Sequence, residues 1–158
     1  MWDLVRHTGI LDLNSPYCYL LLFKDFSDTC VIAEQDDEVV GFMTAYRPPQ
    51  DPDLIFVWQI GVREAARGKG LGTAMLLSLL ERPACSEIRY LEATVTPSNH
   101  NSFRLFQSLA RRLGTQFKSE SGFEEEHFPE GGHEVEHLIR IGPIDNPRQR
   151  NGEKSGSY

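Results

Sequence analysis

The stretch that decides the fold is Gln59-Ile60-Gly61-Val62-Arg63-Glu64-Ala65-Ala66-Arg67-Gly68-Lys69-Gly70-Leu71-Gly72-Thr73. It grows out of Leu54–Val62 (LIFVWQIGV), a run of branched and aromatic residues that suits a central strand. It leads into Gly72–Leu80 (GTAMLLSLL), which reads as a helix stopped before Pro83. Between them, Gly68, Gly70 and Gly72 let the backbone turn its amides toward one point. The following helix adds free N–H groups and the positive end of its dipole. Such a nest suits a phosphate. Two common phosphate signatures do not fit: a P-loop ending in Lys69 needs Gly where Arg63 stands, and Gly68-x-Gly70-x-Gly72 lacks the G-x-G-x-x-G spacing.

Outward from this loop, Ile88–Val95 (IRYLEATV) is predicted as the next strand. Asn99–Leu113 is predicted as an amphipathic helix, with Phe103, Phe106, Leu109, Ala110 and Leu113 at three- and four-residue spacings and Gly114 behind them. Upstream, residues 30–34 and 39–46 flank Gln35-Asp36-Asp37-Glu38 as a hairpin. Asn14-Ser15-Pro16 signals a helix start for Tyr17–Phe26, with a strand as the rival reading, and residues 2–8 resemble a helix end stopped by Gly9. The segment HEVEHLIRIG at 133–142 is strand-like, and Pro143 onward lacks apolar content and reads as a disordered tail. A hairpin supplies antiparallel pairs and each strand–helix–strand crossover a parallel one, so the expectation is an α/β (α+β) domain over residues 1–142. Its central sheet is mixed, with helices on both faces.

The 158 residues carry 16 Lys and Arg against 23 Asp and Glu, a formal charge of −7, which argues against nucleic acid or an anionic membrane as the main partner. Residues 119–137 hold seven of the acids and three of the five His, with no Lys or Arg, whereas Arg63, Arg67 and Lys69 crowd the glycine loop. That polarity suggests an anionic cofactor and a cationic substrate. Three widely spaced Cys form no CxxC pair, pointing to reduced thiols and a cytoplasmic location. No apolar run reaches the ~20 residues of a membrane span.

The loop also carries R-x-x-G-x-G, as Arg67-Gly68-Lys69-Gly70-Leu71-Gly72, and Asn99-x-x-Ser102-x-x-Leu105-Phe106 follows in the next strand–helix. From Leu54 to about Leu113 the chain therefore resembles the GNAT N-acetyltransferases. That resemblance implies acetyl-CoA as co-substrate. The backbone of Ile60, Gly61 and Val62 would face the pantetheine arm and the thioester carbonyl. Arg67, Gly68, Lys69, Gly70, Gly72 and Thr73 would surround the pyrophosphate, and Asn99 would bond the arm near the sulfur. Many relatives carry a thiolate-protonating Tyr where this chain has Phe106, so that assignment fails here. The family fold opens with a strand before its first helix, while this sequence begins inside what resembles that helix. The expectation is a sheet lacking its first edge strand.

Four further stretches, LDLNSPYCYLLL at 11–22, FVWQI at 56–60, LEATVTPSN at 91–99 and FPEGGHEVEHLIRIGP at 128–143, resemble the L-2,4-diaminobutyrate acetyltransferases of ectoine biosynthesis within that superfamily. This implies acetylation of the 4-amino group of a small diamino acid in osmotically stressed bacteria, and suggests a homodimer. It places Asp12, Tyr17, Trp58, His133 and Glu136 at the substrate site, with Thr94 a weaker candidate. An alkylammonium with a pKa of ~10.4 must lose a proton before it can attack. Glu136 is the first candidate base and Asp12 the second, acting directly or through water. Direct transfer is expected, because no Cys has an evident His partner, and Gln59 cannot be a base.

Three rival readings remain. His133-Glu134-Val135-Glu136-His137 matches the H-E-x-x-H zinc signature, but the flanking Gly131-Gly132 and Ile139-Arg140-Ile141 favour a strand. On a strand the two His would sit about 13 Å apart, too far for one metal, so no metal is expected. A non-catalytic acyl-CoA sensor and a GNAT enzyme for another small amine or polyamine stay open.

Overall fold

The computed structural model describes residues 2–8, 14–128 and 132–145. Among the described residues, four α-helices and six strands follow one another as α1 (Trp2–Thr8), α2 (Pro16–Asp25), β1 (Val31–Gln35), β2 (Glu38–Tyr46), β3 (Leu54–Val62), α3 (Leu71–Leu80), β4 (Tyr90–Val95), α4 (His100–Leu113), β5 (Phe117–Phe123) and β6 (Glu136–Ile141). The strands form one sheet in the order β1-β2-β3-β4-β6-β5. Only the β3–β4 pair is parallel. The expected mixed sheet with helices on both faces is what the chain forms.

Local chemistry explains most of the boundaries. α2 is a helix rather than a strand, because Ser15 Oγ accepts the Cys18 amide at 3.3 Å and Pro16 opens the first turn. The β1–β2 hairpin closes on Asp36 and Asp37, both at positive φ (53° and 62°), the handedness a two-residue hairpin turn requires. At α4, Asn99 caps the start by accepting the Ser102 amide at 3.1 Å, and Gly114 ends it in the left-handed region at φ 65°.

Alternation along β2 divides the interior in two. Phe42 packs with Leu4, Val5, Tyr19, Leu22 and Cys30 under α1 and α2. The next residue, Met43, points to the other face, where α3 and α4 bury Leu76, Leu79, Phe106 and Leu109 against Ile55, Leu91 and Ile139. Phe106 is thus a core residue.

Three expectations need correction. The strand predicted from Ile88 begins at Tyr90. The segment Phe117–Phe123 is a strand that sequence reading did not pick out. Its Lys-Ser-Glu-Ser-Gly content has no β pattern of its own; pairing with β6 makes it a strand, as tertiary context often does. Finally, the fold does not stop at 142. Ile144 is buried, its amide donates to Arg89 O at 2.7 Å, and the Thr115 hydroxyl donates to Pro143 O at 2.7 Å. The helix stop expected at Gly9 and the tail from 146 lie outside the described residues.

Candidate functional site

The site begins with a defect in the sheet. β3 and β4 pair only from Leu54 opposite Tyr90 to Phe56 opposite Glu92. Beyond that, β3 runs on to Val62 and β4 to Val95 without pairing to each other, so the strands part toward their carboxyl ends. The parting coincides with a bulge. Gln59 pairs with Thr44 but Val57 pairs with Ala45, leaving Trp58 as the extra residue. Buried side chains hold this bulge: the Gln59 amide donates to Thr44 Oγ1 at 3.2 Å, and Tyr19 Oη, on α2, donates to Gln59 Oε1 at 3.4 Å. Sequence reading did not single out Tyr19 or Thr44. The available signal was a glutamine inside an otherwise apolar strand.

A cleft of about 350 Å³ opens where the strands part. Ile60, Gly61 and Val62 form one wall; Arg67, Gly68, Gly70, Gly72 and Thr73 form its end; Asn99 closes the opposite rim. All nine were sequence candidates. Lys69, expected with them, is exposed and does not line the cleft. Asn101, Ser102 and Leu105 also line it; the last two belong to the Asn99-x-x-Ser102-x-x-Leu105 pattern but had been given no role.

The end of the cleft suits an anion. α3 starts from Gly70 at φ 77°, with no side chain capping it and no acid in its first turn. The leading amides of a helix have no intrahelical partner, so those of Leu71, Gly72 and Thr73 remain as donors with the helix dipole behind them. The Arg67 guanidinium folds back, its Nε donating to Val62 O at 3.1 Å. Asn99 uses Oδ1 as the α4 cap, so what it offers a ligand is its Nδ2 hydrogens.

On the other side of β4 lie two of the acceptor-site candidates, His133 and Glu136. β6 starts at Glu136 beside the end of β4, where Val95 pairs with His137. An ion pair fixes this register: Glu92 and Arg140 are direct neighbours across the strands, 2.5 Å apart, with Arg140 stacked over Tyr90 at 4.2 Å. His133 Nε2 lies 3.8 Å from Glu136 Oε1, and its ring stacks on Phe128 with centroids 3.7 Å apart. His133 Nδ1 is 2.7 Å from Glu134 O; a carbonyl only accepts, so Nδ1 carries the hydrogen and a neutral ring keeps its lone pair on Nε2.

Thr94 is half-buried on β4 opposite Leu138. Trp58 sits in the β3 bulge, 39% exposed, and Tyr17 lies on the solvent side of α2, 68% exposed. The structure therefore joins His133 with Glu136 but keeps Tyr17 on the β3 side. Asp12 lies outside the described residues.

Glu134 was seen only as part of the zinc signature. Its Oε2 accepts the Ser98 amide at 3.2 Å. The Ser98 hydroxyl and then that amide hold its carboxyl below the usual 4.5, with His133 and His100 adding to the effect. Among the described residues no group of three or more His, Cys, Asp or Glu could hold a metal, and His137 sits edge-on to Phe103. Burial pushes the Cys30 and Cys85 thiols above their ordinary 9.0, so neither offers a thiolate near neutral pH.

Comparison with known proteins agrees with this geometry. Residues 4–110 match the model of the acetyltransferase (GNAT) family. The L-2,4-diaminobutyric acid acetyltransferase of Halalkalibacterium halodurans is 49% identical over 144 residues, covering 91% of this chain and 76% of that enzyme. That of Marinococcus halophilus is 48% identical, covering 91% and 83%. Among solved structures, the diaminobutyrate acetyltransferase EctA of Paenibacillus lautus, in complex with L-2,4-diaminobutyric acid and coenzyme A, is 46% identical. It superposes with a TM-score of 0.88 over 92% of this chain and 88% of that one. Helical and strand order, cleft and sequence lead to one placement: the chain belongs to the GNAT acetyltransferases and, within them, to the family of the L-2,4-diaminobutyric acid acetyltransferases.

Proposed function

We propose that this protein transfers acetyl from acetyl-CoA to the 4-amino group of L-2,4-diaminobutyrate, a step of ectoine biosynthesis. The observation that carries the reading is the parting of β3 from β4, with a glycine loop at its end and Asn99 on its rim. An extended chain fits such an opening because β3 keeps a strand edge from Val57 to Val62 that β4 does not use. CoA offers an amide-bearing arm for that edge and a pyrophosphate for the first-turn amides of α3.

The residues then divide the chemistry. Backbone N–H groups around Ile60–Val62 stabilise the oxyanion that forms at the thioester carbon. Glu136 takes the ammonium proton, directly or through water, with the Nε2 lone pair of His133 beside it. Asp12 and Trp58 complete the acceptor site, together with Tyr17 and Thr94. The deprotonated amine attacks the carbonyl, the C–S bond breaks, and CoA leaves as a thiolate. Phe106 is buried in the core and has no proton to give, so the sulfur departs unprotonated, and the surplus proton on the acylated nitrogen passes to solvent as the amide forms.

The chain is further read as a cytoplasmic homodimer serving the response to osmotic stress. Support for a second copy comes from α2, where Tyr17, Leu20 and Leu21 form an exposed apolar stripe at helical spacing.

A thiol-release assay with acetyl-CoA and a panel of amines tests the function. Fastest release with L-2,4-diaminobutyrate, and a product acetylated on N4 by NMR, is the expected result. Faster release with a polyamine, or none with diaminobutyrate, would overturn it.

A further inference from the structure

The β4–α4 turn is held from outside its own element. It consists of Thr96, Pro97 and Ser98 and delivers Asn99 to the rim of the cleft. Within the turn, the Asn99 amide donates to Thr96 O at 2.9 Å and the His100 amide to Ser98 O at 2.9 Å. The Ser98 amide instead donates to the carboxylate of Glu134 at 3.2 Å, 36 positions away in sequence. Glu134 belongs to the segment that carries His133 one residue before it and Glu136 two residues after it. A second cavity of about 600 Å³ lies between that segment and the start of α4, lined by Gly132, His133 and Glu134 on one side and Asn99, Asn101 and Arg104 on the other. Asn99 and Asn101 face both cavities.

We infer that Glu134 is a positioning residue: its carboxylate holds the β4–α4 turn so that Asn99 meets the pantetheine arm of CoA, and it ties the acceptor segment to the cofactor cleft. Three features favour this over a role in the stability of the fold. Glu134 is exposed, so its removal opens no cavity in the core. Its carboxylate accepts a charge-assisted hydrogen bond from a turn whose other hydrogen bonds, among the described residues, are local. And it sits just ahead of the α4 N-terminus, where a negative charge is favoured. The inference rests on the reading of the cleft as the CoA site.

The test is a double-mutant cycle on CoA affinity, measured by calorimetry without any acceptor. Glu134→Ala should weaken CoA binding about fivefold to tenfold, the worth of one lost charge-assisted hydrogen bond, with little change in Tm. Glu134→Gln, which keeps an acceptor for the Ser98 amide, should recover most of the affinity. Asn99→Ser keeps a cap for α4 but loses the amide donors. In that background Glu134→Ala should have little further effect, because Glu134 acts through Asn99. Additive losses, unchanged affinity in Glu134→Ala, or a fall in Tm alone would overturn the inference. A wild-type chain that binds CoA but acetylates no diaminobutyrate would overturn the proposed substrate and leave the cycle readable. One that binds no CoA would overturn both.

Discussion

At the scale of single residues, Glu136 is the test of the mechanism. It stands at the head of β6 with a histidine nitrogen 3.8 Å from its carboxylate. Glu136→Gln keeps shape and hydrogen bonding but removes the proposed base, and kcat/KM should fall at least ~100-fold. An activity near wild type would take Glu136 out of the mechanism. Gly61 makes a different demand: a Cβ there would meet Phe42 Cε1 at 2.5 Å, and Phe42 is completely buried. Gly61→Ala should destabilise the fold by about 1–3 kcal/mol in urea unfolding, the usual cost of overpacking. A loss of a few tenths would mean that Phe42 turns aside. The glycine-loop residues of the cleft were legible in the sequence because a glycine loop between a strand and a helix has few uses, whereas Ile60–Val62 and Asn99 were named through the GNAT resemblance. Glu134, Tyr19 and Thr44 were not legible, because their roles depend on partners far away in the chain, which spacing cannot reveal.

At the scale of elements, α2 carries an apolar face on each side. Tyr19 and Leu22 are buried against Phe42, while Tyr17, Leu20 and Leu21 face solvent. If a second copy covers the outer stripe, Leu20→Glu combined with Leu21→Glu should shift the particle from dimer to monomer in analytical ultracentrifugation, with far-UV circular dichroism unchanged. A wild-type monomer, or a variant that stays dimeric, would count against that surface. Element type was legible wherever the apolar period was strong. α4 shows its three- and four-residue spacing and buries Phe106, Leu109 and Ala110 as expected. β5 shows no such period: it is an exposed edge, and at Gly122 an added Cβ would meet Glu136 O at 2.6 Å, so its glycine answers to β6 rather than to its own strand.

Over the whole molecule, the sheet acts as two blades joined at Leu54–Phe56 and open beyond. A ligand that lies along the free edge of β3 joins them again. CoA should therefore slow amide exchange at Gln59–Val62 and in the first turn of α3, as seen by mass spectrometry, and leave the β1–β2 turn unchanged. At a hundred times its Kd it should add about 2.7 kcal/mol to stability. Uniform protection, or none at β3, would argue for another binding mode. The overall layering was legible in the order of strands and helices. The point at which β3 leaves β4 was not, because it coincides with a one-residue bulge held by partners on β2 and α2, distant in the chain.

The way the cleft is built has a consequence for how such an enzyme can change. In the proposed binding mode its hold on the cofactor is made largely of main chain, at Ile60–Val62 and at the start of α3, and asks mainly for glycine at a few positions. The candidate acceptor groups are side chains carried on separate segments. Exchanging those side chains can redirect the enzyme to a new amine while the acetyl donor stays the same, so donor use is inherited with the backbone and acceptor choice is free to drift.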